Sequence, residues 1–181
     1  AAMLTALRTG ALDMSANSQG AVANAVPEYA AYGMPFLFTT AAQAFKLLDG
    51  PLGKELSDKS AEKGLVVLGY WDNGIRHMTN SKNPIMNIHA SKLYEVQKHL
   101  ALTSHQFQMT PFLMGKRSWD KLSEADRKAV TEAAAEATAL QRKLSQESDD
   151  KLLADLKAKG VQVTTVDKSA FEKATGAVDD K

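Results

Sequence analysis

Two residues able to recognise an anion, Arg76 and Trp71, lie just after an apolar run of the chain, within residues 70–77. Open α/β sheets form their binding crevice at the carboxyl ends of strands. A guanidinium can hold a carboxylate through two parallel hydrogen bonds, and an indole can supply an apolar wall. The segment therefore predicts a crevice for an anion. The alternative from position alone is an Arg in a surface ion pair beside a core Trp.

Signatures of catalysis and of metal binding are absent from the sequence. Ser18 lies in Asn-Ser-Gln-Gly, which is not the Gly-x-Ser-x-Gly pattern of a nucleophile. The chain has no Cys, which excludes thiolate zinc sites and Cys nucleophiles. The four histidines do not show metal-site spacing: they are His77, His89, His99 and His105. We expect no metal, no cofactor and no enzyme activity. A hydrolase using a His and an Asp is the alternative, which an activity screen would test.

Composition favours a globular protein. Of 181 residues, 44% are hydrophobic and 24% are charged, which is enough for a core and unlike a disordered chain. Lys plus Arg is 22 and Asp plus Glu is 21, so there is no basic excess of the kind that a nucleic-acid binder shows. No apolar run reaches membrane-spanning length. Ala1 is not a start Met and no export signal follows it, so we expect the chain to be cut at its front.

The apolar pattern predicts an α/β fold with more helix than strand. Thr40 and Gln43 have the spacing of a capping box that begins a helix ending at Gly50, and a second helix runs over residues 51–64. The apolar run 65–71 predicts a strand buried on both faces, as in a parallel sheet. A second strand is predicted over residues 75–80, a helix over 85–100 and an extended segment over 102–114.

A long helix is predicted from Glu124 to Lys159, because Ser123 and Asp126 can cap its start and Gly160 can end it. Its apolar positions form a stripe, which consists of Val130, Ala133, Ala137, Leu140 and Leu144 and resumes at Leu152, Leu153 and Leu156. A short strand follows over residues 161–164. A helical interaction module built on this helix is therefore another alternative for the function of the chain.

The sequence resembles the DctP-type solute-binding proteins of TRAP (tripartite ATP-independent periplasmic) transporters. The resemblance spans nearly the whole chain and rests on Gly-Ala-Leu-Asp-Met at 10–14, Pro-Phe-Leu-Phe at 35–38, Asp-Gly-Pro-Leu-Gly-Lys-Glu-Leu at 49–56, Gly-Tyr-Trp-Asp-Asn-Gly-Ile-Arg-His-Met-Thr-Asn at 69–80, Lys-Leu-Tyr-Glu-Val-Gln-Lys at 92–98 and Trp-Asp-Lys-Leu at 119–122. It implies a periplasmic-binding-protein-like, two-lobed α/β fold with a long C-terminal helix. It also implies a periplasmic protein that closes on a small organic acid, such as a C4-dicarboxylate, and delivers it to the TRAP membrane subunits.

The resemblance also assigns site residues one by one. Arg76 matches the second substrate-facing Arg of the family, and Asn83 matches the Asn of its Glu-Asn-Pro motif, with Lys82 in place of the Glu. Ser18 and Thr110 match polar ligand-contact positions. The family's main carboxylate-binding Arg, in a Lys-x-Arg strand, has no counterpart here.

That gap implies an incomplete two-lobed protein. Thr79-Asn80 runs almost directly into Asn83-Pro84, so an internal block of the second lobe is missing and its junction falls after Lys82. The expected division is residues 1–75 for the remnant of lobe one, 76–104 for the remnant of lobe two, and 105–181 for the crossing strand, long helix and C-terminal segment. Losing a bidentate contact to a carboxylate weakens binding about a hundredfold or more. We therefore expect weak binding, with a non-functional fragment as a further alternative.

Overall fold

The computed structural model describes residues 2–78 and 99–173 and arranges them around a four-stranded sheet. The strands are β1 (Met14–Ala16), β2 (Leu65–Met78), β3 (His99–Gly115) and β4 (Gln162–Thr165). β3 lies in the middle, with β2 on one edge and with β1 and β4 sharing the other edge. Only β4 runs parallel to β3, so the predicted parallel arrangement of the run at 65–71 is wrong. Its apolar residues reflect cover on both faces, which does not determine strand direction.

β2 is one continuous strand, although the sequence predicts two strands separated by a turn. Its pairing with β3 shifts between Asp72 and Ile75, where β2 carries an extra residue. Gly74 adopts φ +82° in this bulge, and its N–H donates to Asp72 Oδ1 over 2.8 Å. The bulge absorbs the turn-forming residues without ending the strand. Arg76 therefore lies inside a strand. The sequence analysis predicts it beyond the carboxyl end of a strand, and that prediction is wrong.

The helices follow the predicted caps closely. They are α1 (Ala2–Thr9), α2 (Gln19–Ala23), a 3-10 helix (Pro27–Gly33), α3 (Ala41–Leu48), α4 (Pro51–Glu62), α5 (Lys116–Trp119) and α6 (Glu124–Ala158). Thr40 and Gln43 form the expected capping box at α3. Ser123 Oγ accepts from Asp126 N over 3.1 Å at α6. Of the helix predicted over 85–100, residues 85–98 lie outside the described residues, and His99 and Leu100 begin β3 instead.

Within the described ranges, no helix has both the length and the apolar character that crossing a bilayer requires. Apolar side chains form two clusters along β3. The larger lies on one face of the sheet and includes Leu65, Tyr70, Phe107, Met109 and Leu113. The smaller surrounds Leu100, Leu156 and Val161 at the other end of β3. The division into remnants of two lobes, at residues 1–75, 76–104 and 105–181, remains a prediction.

α6 crosses the outer edge of β2. Trp71 Nε1 donates to Thr138 Oγ1 over 3.0 Å on the face opposite the larger cluster. At the edge itself, Gln141 bonds both the N–H and the C=O of Asp72, at 2.8 and 2.9 Å. The helix therefore satisfies backbone groups that an unpaired edge strand leaves open.

Candidate functional site

Polar side chains alternate with core residues along β3, and they share one face of the sheet with two residues of β2. Phe107, Met109 and Leu113 point into the larger cluster, so the residues between them point the other way. Trp71 lies opposite Thr110, and Arg76 lies opposite Gln106. We call this surface the polar face; it consists of Trp71, Arg76, Gln106, Gln108 and Thr110.

Arg76 is half-buried on the polar face, and its Nη2 donates to Gln108 Oε1. Its positive charge acts on the neighbouring His105. The pKa of His105 is lowered by burial first and by the Arg76 charge second. A guanidinium can hold a carboxylate through two parallel charge-assisted hydrogen bonds.

Trp71 is held in place by one ring contact and one hydrogen bond. Its ring stacks on Phe112 with the centroids 4.6 Å apart, and its N–H is bonded to Thr138 of α6. The predicted role as an apolar wall needs a free ring face. Protein contacts use one face and the polar edge of the indole, so this role stays a prediction for the other ring face.

The remaining predicted residues are placed as follows. Thr110 is half-buried opposite Trp71. Ser18 is exposed at the start of α2 and makes no side-chain cap bond, and its neighbour Asn17 donates its N–H to Pro111 O, beside Thr110. Arg76, Trp71 and Thr110 thus share the polar face, and Ser18 follows the residue that pairs with Pro111 at the edge of β3. Asn83 lies outside the described residues.

Three glutamines that the sequence analysis did not single out also line this region. Gln106 Nε2 donates to Gly33 O over 2.6 Å, and buried Gln19 joins Tyr29 O to Met109 N. Gln108 contacts Arg76. The signal for Gln106 and Gln108 was the polar and apolar alternation of residues 102–114, which marks a strand with one polar face.

A second polar cluster lies where β2 and β3 lose register, beyond Arg76. His77 Nδ1 accepts from Ser104 N over 3.0 Å, and Ser104 adopts φ +47°. His105 Nδ1 and Thr103 Oγ1 are 2.8 Å apart. The pKa of His77 is lowered to about 4, by burial first and then by His105 and Lys168. His77 and His105 are both half-buried. With a pKa of about 4, His77 is neutral at pH 7.

A cleft of about 430 Å³ opens on the opposite face of the sheet from Arg76, between β2, the start of α3 and the second half of α6. Its titratable lining is Asp72, His77, Asp149, Asp150 and Lys168. Burial, then Asp72 and Asp150, raise the pKa of Asp149 to about 6. In the part of the chain that the structure describes, no three His, Cys, Asp or Glu side chains are grouped to hold a metal ion. Arg76 does not line this cleft.

The sequence matches a known protein family. The model of the bacterial extracellular solute-binding protein family 7 (DctP) matches residues 1–88 and 81–181, which together cover the chain. The chain belongs to this family. Several of its relatives are named as solute-binding or ligand-binding proteins, and two of these names describe periplasmic proteins.

Individual relatives align with almost the whole of this chain. The chain is 41% identical to the protein y4mM of Sinorhizobium fredii, over 98% of this chain and 43% of that protein. It is 31% identical to the 2,3-diketo-L-gulonate-binding periplasmic protein YiaO of Escherichia coli, over 97% of this chain and 70% of that protein. Among solved structures, a TRAP periplasmic solute-binding protein from Polaromonas sp. JS666 bound to D-erythronate superposes with a TM-score of 0.91 at 32% identity, covering 98% of this chain and 77% of that one.

The comparisons also confirm the predicted internal gap. The chain spans less than half the length of y4mM, yet its alignment with that protein extends over 233 positions although the chain has 181 residues. The relative therefore carries an internal stretch without a counterpart here. The family match is itself divided between residues 81 and 88, next to the junction predicted after Lys82.

Proposed function

We propose that this chain is a periplasmic solute-binding protein of a TRAP transporter, with no catalytic activity, that binds a small organic acid through its carboxylate and presents it to the membrane subunits. The observation that carries the proposal is the position of Arg76 on the polar face, beside Gln106, Gln108 and Thr110. The named relatives support the class of ligand, since one binds 2,3-diketo-L-gulonate and another was solved with D-erythronate. Both ligands are carboxylated sugar derivatives.

In the proposed site, Arg76 holds the carboxylate through two charge-assisted hydrogen bonds after release from Gln108. Gln108, Thr110 and Ser18 donate or accept hydrogen bonds with the hydroxyls of the ligand, and Asn83 is assigned to the same ligand by family resemblance. Trp71 borders the site through the part of its ring that Phe112 leaves uncovered. Binding is non-covalent, and the ligand favours whichever arrangement of the chain it contacts best.

We expect the affinity of this site for its ligand to be low. The principal carboxylate-binding Arg of the family has no counterpart in this sequence, so Arg76 must neutralise the anion with fewer partners. Loss of such a contact lowers affinity about a hundredfold or more. We therefore expect dissociation constants well above the micromolar range.

A thermal-shift panel tests the proposal. D-erythronate, 2,3-diketo-L-gulonate and succinate are added at about 10 mM, a concentration that saturates a roughly millimolar site, with uncharged erythritol as the ligand control. We expect at least one acid to raise the melting temperature and erythritol to leave it unchanged. Arg76→Ala should abolish the shift, while Arg8→Ala, an exposed Arg on α1, should keep it.

Two results would contradict parts of the proposal. Absence of a shift with every acid tested, confirmed by titration calorimetry, would exclude carboxylate binding by this chain. A shift that survives in Arg76→Ala would place the site elsewhere. Micromolar affinity would contradict only the expected weakness.

A further inference from the structure

The first half of the apolar stripe of α6 does not face the body of the protein, whereas Leu152, Leu153 and Leu156 pack in the smaller cluster. The buried residues of the helix are Ala134, Thr138, Ser145 and Leu156, which lie on another side. Leu140 and Leu144 are 56% and 53% exposed, and Ala133 and Ala137 are exposed as well. We call Ala133, Ala137, Leu140 and Leu144 the outer stripe. The four side chains adjoin one another along the helix, and a contiguous exposed apolar patch marks a surface for another protein.

The spacing of the outer stripe is that of a helix pairing with a helix. Its residues alternate three and four positions apart, so they occupy the a and d positions of two heptads: Ala137 and Leu144 at a, Ala133 and Leu140 at d. Such a seam is narrow and fits one partner helix. The order of small and large residues along it then determines which partner orientation packs well.

We propose that the outer stripe binds the same stripe of a second copy of this chain, with the two α6 helices antiparallel about a twofold axis. In an antiparallel pair, each a position lies beside a d position of the other helix. Leu140 then lies against the partner's Ala137, and Leu144 against the partner's Ala133. Every large side chain meets a small one, which gives close packing without a gap. A parallel pair would place Leu against Leu and Ala against Ala.

Charges beside the outer stripe complement the same register. Glu136 and Lys143 each precede an a position, on the side of the stripe away from the body, and both are exposed. In the antiparallel pair, Glu136 faces the partner's Lys143 and Lys143 faces the partner's Glu136. Within one chain, Lys143 pairs only loosely with Glu147, at 3.9 Å, with 72% of the Lys side chain exposed. It can therefore turn to the partner at small cost.

The seam is short, so the dimer is expected to be weak. Four residues a side bury far less than the roughly 1,600 Å² of a standard interface. We expect self-association in the range of about 100 µM, which is characteristic of a transient contact. This association is independent of the ligand site, because the outer stripe and the polar face share no residue.

Exchanging the charges of Glu136 and Lys143 tests the proposed antiparallel pairing of the two α6 helices. Sedimentation velocity of the full chain over a concentration series should show reversible dimerisation. Glu136→Lys should weaken it roughly tenfold or more, because two attractive contacts become repulsive. Glu136→Lys combined with Lys143→Glu should restore it to near the starting affinity. Both positions are exposed, so circular dichroism should show unchanged folding.

Disulfide capture gives a second, independent measurement, since the chain contains no Cys of its own. An oxidised equimolar mixture of Ala137→Cys and Leu140→Cys chains should form linked dimers. Lys128→Cys, whose parent side chain is 76% exposed on the far side of the helix, should not. A monomer at every concentration, dimerisation unaffected by Glu136→Lys, or equal cross-linking of the Lys128→Cys control would each overturn the proposal.

Discussion

Arg142 of α6 and Asp49, the residue that ends α3, are joined by two parallel hydrogen bonds of 2.7 and 2.8 Å across 93 positions of sequence. The same guanidinium donates from Nε to Tyr70 O over 2.9 Å and lies 3.8 Å from the centroid of the Phe45 ring. One side chain therefore ties α6 to α3 and to β2. Together with the bonds of Thr138 and Gln141 to β2, this contact fastens the first half of the long helix to the body.

Arg142→Ala should lower the free energy of unfolding by about 2 kcal/mol, since it removes a backbone hydrogen bond and ring packing together with the ion pair. Asp49→Ala should cost less than about 1 kcal/mol, because that carboxylate is 56% exposed and only the ion pair is lost. Urea unfolding measures both. Equal losses in the two variants would show that the ion pair alone carries the contact.

Gly53→Ala should destabilise the protein strongly. A Cβ at Gly53 would come within 1.6 Å of the backbone oxygen of Leu48, so α3 and α4 would have to separate. We expect a loss of about 3 kcal/mol or more in thermal or urea unfolding. Gly20→Ala is the matched control: it lies in α2 with open space around it, and should be neutral or stabilise by up to about 1 kcal/mol. Similar effects at both positions would contradict the close approach of the two helices.

Asp149→Asn should stabilise the protein above pH 6. The pKa of Asp149 is about 6 in the fold against an ordinary 3.8, mainly through burial and then through Asp72. The folded state thus holds the proton more tightly, and stability falls as pH rises from about 4 to 6. After allowance for partial exposure, the variant should gain about 1–2 kcal/mol at pH 8 and little at pH 4. Asp150→Asn, an exposed neighbour, should gain less. A gain that does not depend on pH would show that charge is not its cause.

His77→Gln should reduce the sensitivity of the fold to acid. Here the folded pKa, about 4, lies below the ordinary 6.5, so stability is lost as pH falls from about 6.5 toward 4. Protonation would also place a hydrogen on Nδ1, where Ser104 N now donates. Between pH 7 and 5 the native protein should lose roughly 1–2 kcal/mol through this group.

The two titrations oppose each other between pH 4 and 6, so the wild-type curve can be nearly flat. Each variant is therefore compared with wild type at every pH by chemical denaturation. His99→Gln, at an exposed position near the start of β3, is the control for His77→Gln. Parallel pH profiles for His77→Gln and wild type would refute the assignment.

Much of the local structure was decided by the sequence itself. Thr40 with Gln43 and Ser123 with Asp126 specify helix starts because each side chain bonds a backbone N–H within its own turn. Gly10 and Gly160 end helices at positive φ, where other residues are strained. Family membership was likewise readable, since the matching motifs span the chain. These features depend on neighbours in sequence and need no distant partner.

The direction of β2, its continuity through residues 72–74, and the packing side of α6 were decided only by the tertiary structure. Apolar content predicts that a strand or helix is covered, but not by what or in which direction. α6 turns Thr138, Gln141 and Arg142 toward β2 because they satisfy polar groups at an open sheet edge. Leu140 and Leu144 are left exposed on another side of the helix. These hydrogen bonds join residues about 70 positions apart in the sequence. The periodicity of a helix reflects only its own residues, so it could not predict which side of α6 would pack against β2.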